Sequence, residues 1–173
     1  MPRLHKNIRL GPASYIGQSS FFVTICCAAR RPIFSNSGRA QWLVDNLRRQ
    51  AAAYNFAVYA YCVMPDHFHA LVTGRDAACN LLSFMRNFKQ ITGHEHLAKF
   101  AQDLWQKKFY DHIVRPKESA ARIAAYIWLN PVRKGLCSDP RDYLHSGSFV
   151  VDWKSGASFV DPWLPDWKKP RPA

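Results

Sequence analysis

The fold is decided by residues 61–73, YCVMPDHFHALVT, and by the apolar run 56–64 that leads into them. Proline presets φ for the first corner of a tight turn, so Pro65-Asp66 predicts a reversal after a strand. From His67 the side chains alternate, which places His67, His69, Leu71 and Thr73 on one face of a second strand. The stretch is therefore an antiparallel hairpin with two imidazoles on the same side.

Strands and helices alternate on both sides of this hairpin. The order strand, helix, strand, strand, helix, strand, helix predicts an α+β, ferredoxin-like βαββαβ antiparallel sheet with an additional C-terminal helix. The capping residues of 35–38 precede the first helix. The predicted elements outside the hairpin are a strand over 21–27, an amphipathic helix over 40–54, a helix from about Asn80 to the region of His94, a strand over 104–115, and a helix over 117–130 that Pro131 ends.

Length and composition limit the classes of protein that fit. A chain of 173 residues predicts one domain, at about 100–200 residues per domain. We expect this domain to cover 1–150 with a basic arm at 1–19, and a Trp- and Pro-rich extension at 151–173 whose end is disordered. The nearly apolar runs are too short for a spanning helix of about 20 residues, and no secretory signal is predicted. The five cysteines show no metal-binding spacing, which favours buried, reduced thiols and a cytoplasmic protein.

Charge points to an anionic partner. Lys and Arg number 24 against 12 Asp and Glu, a formal charge of +12, and nucleic acid is the leading partner for such a domain. The candidate phosphate contacts are Arg3, Lys6, Arg9, Arg86, Lys89, Lys107, Lys108, Arg115, Arg133 and Lys134.

The histidine pair is the densest chemical signal. Residues i and i+2 of a strand point the same way, so His67 and His69 can share a divalent ion. Two surface histidines on a sheet face that bind no metal would give the same sequence pattern. The second such pair, His94 and His96, lies in a predicted helix, where two residues differ by about 200° and the side chains diverge. Asp66 is a turn residue or an outer partner of a histidine.

The last predicted helix carries the other candidates. Arg122, Tyr126 and Asn130 recur every four residues and form one stripe. Tyr126 is either a packed aromatic or a nucleophile that needs a nearby cation or base, because a free phenol has a pKa of about 10. Asn130 offers a neutral amide oxygen as a further metal ligand.

Four segments together resemble the REP-associated tyrosine transposases, relatives of the single-tyrosine transposases among the His-hydrophobe-His (HUH) nucleases. They are FFVTICCAARRPIF (21–34), YCVMPDHFHALV (61–72), LWQKKFYDHIVR (104–115) and YIWLNPVRKGL (126–136), within a resemblance that covers roughly residues 15–150.

The resemblance implies a function and a set of residues. It implies a ferredoxin-like domain that cuts and rejoins single-stranded DNA beside short palindromic hairpins through a 5′-phosphotyrosine. Tyr126 would be the nucleophile, and His67, His69 and Asn130 would hold Mg²⁺ or Mn²⁺. Lys89 stands out because the second helix of the family commonly carries a lysine. We expect a nucleoid-associated monomer or homodimer.

Two other functions stay open. A non-catalytic nucleic-acid-binding module on the same fold would keep the charge and lose the chemistry. A metal-dependent hydrolase acting on a small substrate would need a general base near His67, and no motif there supplies one.

Overall fold

The structure, a computed structural model, describes residues 10–159 and 162–165, and the arm cations Arg3, Lys6 and Arg9 lie outside them. Its strands are β1 (Ser20–Cys26), β2 (Phe56–Met64), β3 (His67–Gly74), β4 (Tyr110–Ile113) and β5 (Ser146–Gly147). They form one antiparallel sheet in the order β4-β1-β3-β2-β5. The arrangement β4-β1-β3-β2 is the ferredoxin-like one, so the predicted fold class is confirmed.

Helices pack on both faces of the sheet. The elements α1 (Ser37–Ala53) and α2 (Leu81–Phe100) cover one face, and α3 (Ala120–Trp128) covers the other, with short α4 (Asn130–Arg133) and α5 (Trp153–Gly156) beside it. Along β3, Phe68 contributes to the α1–α2 core and Leu71 to the α3 core, as the alternation predicts. None of the helices in the described residues has the length and hydropathy to cross a bilayer.

Local signals place the helix starts. The side chains of Asn36, Asn80 and Ser119 accept hydrogen bonds from backbone N–H groups three residues later, which caps α1, α2 and α3. In β2 the register shifts between Val58 and Ala60, and this bulge is not visible in a strand that is apolar on both faces.

The predicted strand over 104–115 is wrong for its first half. Only Tyr110–Ile113 is strand. Before it, the backbone meets the chain at and just after the end of β1 in an isolated bridge between Cys27 and Trp105, in which Gln106 N donates to the Cys26 carbonyl and Ala28 N to the Leu104 carbonyl. The Lys89 ammonium donates to the carbonyls of Gln106 and Lys107, at 2.8 and 3.0 Å. Because these carbonyls accept from α2, they do not extend the ladder of the sheet.

Two helix boundaries also differ from the prediction. The second helix continues past His94 to Phe100 and ends at Ala101 in the left-handed conformation. The third begins at Ala120 rather than 117, and Pro131 does not end the helical path. Proline occupies the first turn of α4, where its missing N–H has no intrahelical partner to lose.

The C-terminal part packs against α3. Trp153 and Trp163 are buried in the α3 core, as expected, whereas Trp167 and the final residues lie outside those described. All five cysteines are free thiols, with Cys27, Cys62 and Cys79 buried and the other two half-buried.

We predict that Thr92→Val lowers the free energy of unfolding by about 1–3 kcal/mol, the cost of leaving a donor unpaired. Buried Thr92 Oγ1 accepts from Trp105 Nε1 at 2.8 Å and donates to the Phe88 carbonyl, so it ties the segment before β4 to α2. Thr73→Val removes a hydroxyl from the partly exposed pair with Ser20 and should cost less. Equal losses in urea unfolding would show that the Thr92 link does not stabilise the fold.

Candidate active site

The two imidazoles of β3 meet at their Nε2 atoms. His67 Nε2 and His69 Nε2 are 3.1 Å apart, and both side chains are buried, at 9% and 3% exposure. Thr24 of β1 pairs with His69 in the ladder, and its Oγ1 lies 2.7 Å from His69 Nδ1. The hairpin and its neighbouring strand therefore fix the position of each ring, with the two ring planes 82° apart.

Outer partners set the protonation of His67. The Asp66 carboxylate lies 2.5 Å from His67 Nδ1 and 3.3 Å from the guanidinium of Arg30. A carboxylate only accepts, so the ring proton belongs on Nδ1 and a lone pair on Nε2. Burial lowers the pKa of His67, against the Asp66 carboxylate, which raises it. The ring is neutral at neutral pH and presents a metal-ligating nitrogen.

Asp66 is held in its charged form. Burial acts to raise the pKa of its carboxyl, but the hydrogen bond from His67 and the positive charge of Arg30 outweigh it and leave the pKa below its usual value. Asp66 is therefore an anchor for the histidine.

The spacing of the two nitrogens fits a divalent cation. Two nitrogens that bind one Mg²⁺ at right angles, each about 2.1 Å from the ion, lie about 3 Å apart, which matches the separation of the two Nε2 atoms. Within the described residues, His, Cys, Asp and Glu form no cluster of three, so a further protein ligand must be of another type. Asn130 lines a cavity together with His67 and His69. Its Nδ2 donates to the carbonyls of Tyr126 and Ile127, which directs the amide oxygen away from those carbonyls.

Tyr126 lies beside the histidines in the α3 core. Its side chain is 1% exposed, and its ring centroid is 6.0 Å from that of His69, 5.8 Å from Phe22 and 5.7 Å from Trp163. The Arg133 guanidinium lies 4.2 Å from the ring centroid. Burial raises the pKa of the phenol, and the charge of Arg133 lowers it in part. The protonated phenol is thus the resting form, with one cation beside it.

These groups share a cavity of about 400 Å³, which we call the histidine cavity. Phe109 and Tyr110 are half-buried on its wall. The sequence also missed Arg30, which lines the cavity with φ at +54°, next to Ala29 at +52°. Its lining residues are Thr24, Cys26, Arg30, His67, His69, Gln106, Lys108, Phe109, Tyr110, Tyr126, Asn130 and Lys134.

The candidate DNA-binding cations fall into separate places. Arg86, Lys89, Lys107 and Lys108 line a groove of about 440 Å³, here named the α2 groove. Lys108 and Phe109 line both this groove and the histidine cavity. Arg115 borders a third cleft next to Lys117 and Arg122. Lys89 and Arg133 also have structural contacts, with backbone carbonyls and with Tyr126 respectively.

The family to which the chain belongs follows from a sequence match. The family model described as "Transposase IS200 like" matches residues 17–129, most of the chain. The chain belongs to the IS200-like transposase family. This family of DNA transposases includes the relatives expected from the four motifs, and that resemblance is confirmed.

The chain is also similar to individual proteins. The chain is 26% identical over 147 residues to the REP-associated tyrosine transposase of Escherichia coli strain K12, covering 80% of this chain and 87% of that protein. It is 24% identical over 158 residues to an uncharacterized protein of Haemophilus influenzae, covering 73% and 88%. The solved structure of a REP-associated tyrosine transposase bound to a REP hairpin has a similar fold, with TM-score 0.72 at 23% identity over 96% of this chain and 94% of that chain.

We predict that Asp66→Asn lowers the free energy of unfolding at neutral pH, because the folded state holds the pKa of this carboxyl below its unfolded value. The stabilisation is present above the unfolded pKa of about 3.9 and is lost as the pH falls through the lower, folded pKa. The difference from wild type should therefore vanish in strong acid. Asp45→Asn, which removes an exposed carboxylate from α1, controls for net charge; an Asp66→Asn deficit that persists unchanged in acid would contradict the assignment.

Proposed function

We propose that this chain is a metal-dependent single-strand DNA endonuclease and strand transferase that cuts and rejoins DNA next to short palindromic hairpins. The observation that carries the proposal is the meeting of three groups in one cavity: a pair of imidazole nitrogens, a buried tyrosine and an asparagine amide. The chain's membership of a transposase family is consistent with this chemistry.

The metal would be Mg²⁺ or Mn²⁺, held by Nε2 of His67, Nε2 of His69 and the amide oxygen of Asn130. When bound, it would polarise an oxygen of the scissile phosphate and stabilise the charge that develops there. Asp66 and Thr24 keep the two rings oriented through their Nδ1 atoms, as outer partners of metal-binding histidines usually do.

Tyr126 would be the nucleophile. Its phenol oxygen attacks phosphorus, a tyrosyl–phosphate bond forms, and the bond from phosphorus to the 3′ oxygen breaks. The phenol gives up its proton and the leaving 3′ oxygen takes one, which yields a 5′-phosphotyrosine and a free 3′-OH. One ester replaces another, so a second 3′-OH can reverse the step. Arg133 favours the reaction because its positive charge stabilises the phenolate.

The DNA would reach this cavity along the α2 groove. Lys108 and Phe109 belong to both spaces, so a strand whose phosphates lie on Arg86, Lys107 and Lys108 leads directly to the histidines. Lys134 lines the histidine cavity, and Lys89 and Arg115 add charge nearby. Hairpin DNA is the proposed partner because the structural relative is a complex with a REP hairpin and this chain shares its fold.

We predict that a covalent protein–DNA adduct forms in wild type and is lost in Tyr126→Phe, which has no nucleophilic oxygen. The substrates are end-labelled single strands that carry palindromic hairpins from the DNA flanking the gene, with Mg²⁺ or Mn²⁺, and the readout is a denaturing gel. Tyr110→Phe is the matched comparison, since Tyr110 also lines the cavity.

The pattern of adducts separates the candidate functions. An adduct that survives in Tyr126→Phe but disappears in Tyr110→Phe would show that Tyr110 is the nucleophile and contradict the assignment of Tyr126. Salt-sensitive binding of the hairpin by all three proteins, with no cut under either metal, would favour the non-catalytic module.

We predict that Mn²⁺ binds wild type measurably in calorimetry and raises its melting temperature, and that His67→Ala/His69→Ala removes both effects. Thr24→Val should weaken Mn²⁺ binding about 10–100-fold, since it removes the outer partner of His69. His94→Ala, from the exposed member of the helical histidine pair, should bind like wild type. Equal Mn²⁺ affinity in His67→Ala/His69→Ala and wild type would place the metal elsewhere.

A further inference from the structure

A second cavity lies between the first turns of α1 and the last turns of α2. Its volume is about 530 Å³, within the range of small-ligand sites, and it shares no lining residue with the histidine cavity. We call it the α1–α2 pocket. Its principal walls are Arg39, Trp42, Glu95, His96, Lys99 and Phe100.

The walls combine aromatic rings with cations. The Arg39 guanidinium lies 4.1 Å from the centre of the Phe100 ring, and Lys99 Nζ lies 5.4 Å from it. Among the residues that the structure describes, neither cation forms a salt bridge. Trp42 is half-buried at the pocket wall. Aromatic faces with unneutralised cations are the usual means of binding single-stranded nucleic acid.

Two polar groups favour a nucleotide over a simple anion. The Glu95 carboxylate accepts from Trp42 Nε1 at 2.9 Å, which orients the indole and leaves an acceptor for an N–H of a base, a group that a simple anion lacks. His96 is buried, and its Nε2 has no hydrogen-bond partner in the described part of the chain. Burial, with the charges of Arg39 and Arg31, lowers the pKa of His96, so this ring is neutral.

A short basic segment separates the pocket from the histidine cavity. Arg30 contacts Asp66 beside His67, while Arg31 donates to Gln102 and to the Asp103 carbonyl just after α2. Phe34, two residues before the pocket residue Asn36, donates its N–H to the carbonyl of Pro65. Both spaces therefore have lining residues near the same end of the sheet, where β1 ends and β3 begins.

We propose that the α1–α2 pocket binds an unpaired nucleotide of the single strand that the histidine cavity processes. The base stacks on Trp42, and the adjoining phosphates contact Arg39 and Lys99, with Arg30 and Arg31 along the path between the two sites. This inference rests on the proposed function. The surface formed by α1 and α2 would then bind the DNA strand at a second position, distant from the phosphate that reacts.

The test measures binding of fluorescein-labelled single-stranded oligodeoxynucleotides of increasing length to Tyr126→Phe, which cannot cut them. Adding Arg39→Gln/Lys99→Gln should weaken binding only of strands long enough to span both sites. It should also reduce the slope of log affinity against log salt by about 0.7 for each lost phosphate contact. Arg48→Gln is the control, because Arg48 lies on α1 like Arg39 but outside the pocket. Its guanidinium also lies over an aromatic ring, 4.0 Å from the centre of Phe149.

A photochemical readout locates the base directly. An oligodeoxynucleotide with 5-iodouracil should cross-link to Trp42 or Phe100, and mass spectrometry of the peptides should identify the residue. Unchanged affinity and salt slope in Arg39→Gln/Lys99→Gln at every length, or cross-links confined to the histidine cavity, would overturn the inference even if wild type cuts DNA. If wild type forms no adduct but binding still depends on the pocket, only the proposed chemistry would be overturned. If the protein binds no single strand at all, both the proposed chemistry and the role of the pocket would be overturned.

Discussion

A slip of one residue in the pairing of β3 with β1 would turn both imidazoles into the core beneath α1 and α2. The side-chain period of a strand is two, so the register that buries Phe68, Ala70 and Val72 is the same register that presents His67 and His69 to the opposite face. The apolar core therefore enforces the geometry of the histidine pair. The outer partners Asp66 and Thr24 then orient rings that the sheet has already placed.

The burial of Tyr126 shapes the chemistry of the site. Packing against Phe22 and Trp163 holds the ring within reach of the histidines, and the same packing raises the pKa of the phenol. The charge of Arg133 over the ring lowers the phenol pKa in part, and its guanidinium also donates a hydrogen bond to the Tyr126 carbonyl. Arg133, which the sequence suggests as a phosphate contact, thus contacts Tyr126 in the folded protein.

The positive charge of the chain is organised by the fold. Arg86 lies on α2, and Lys107 and Lys108 lie on the segment between α2 and β4; together they line one groove that joins the histidine cavity. Lys89 in the same groove also links α2 to the segment before β4, so its replacement would disturb the wall as well as the charge. Arg39 and Lys99 face a separate pocket, and net charge alone does not distinguish these roles.

The sequence by itself determined the order of the predicted strands and helices along the chain, the two faces of β3 and the spacing that puts Tyr126 and Asn130 on one stripe, because these follow from local periods and turns. It also carried the four motifs that identify the family. The tertiary structure alone decided that 104–109 leaves the ladder, that Pro131 continues a helical path and that the β2 register shifts at its bulge. The segment 104–109 is held by Lys89, whose ammonium donates to the carbonyls of Gln106 and Lys107. The tertiary structure also decided the places of Arg30, Thr24 and the α1–α2 pocket, whose residues meet only when strands and helices pack.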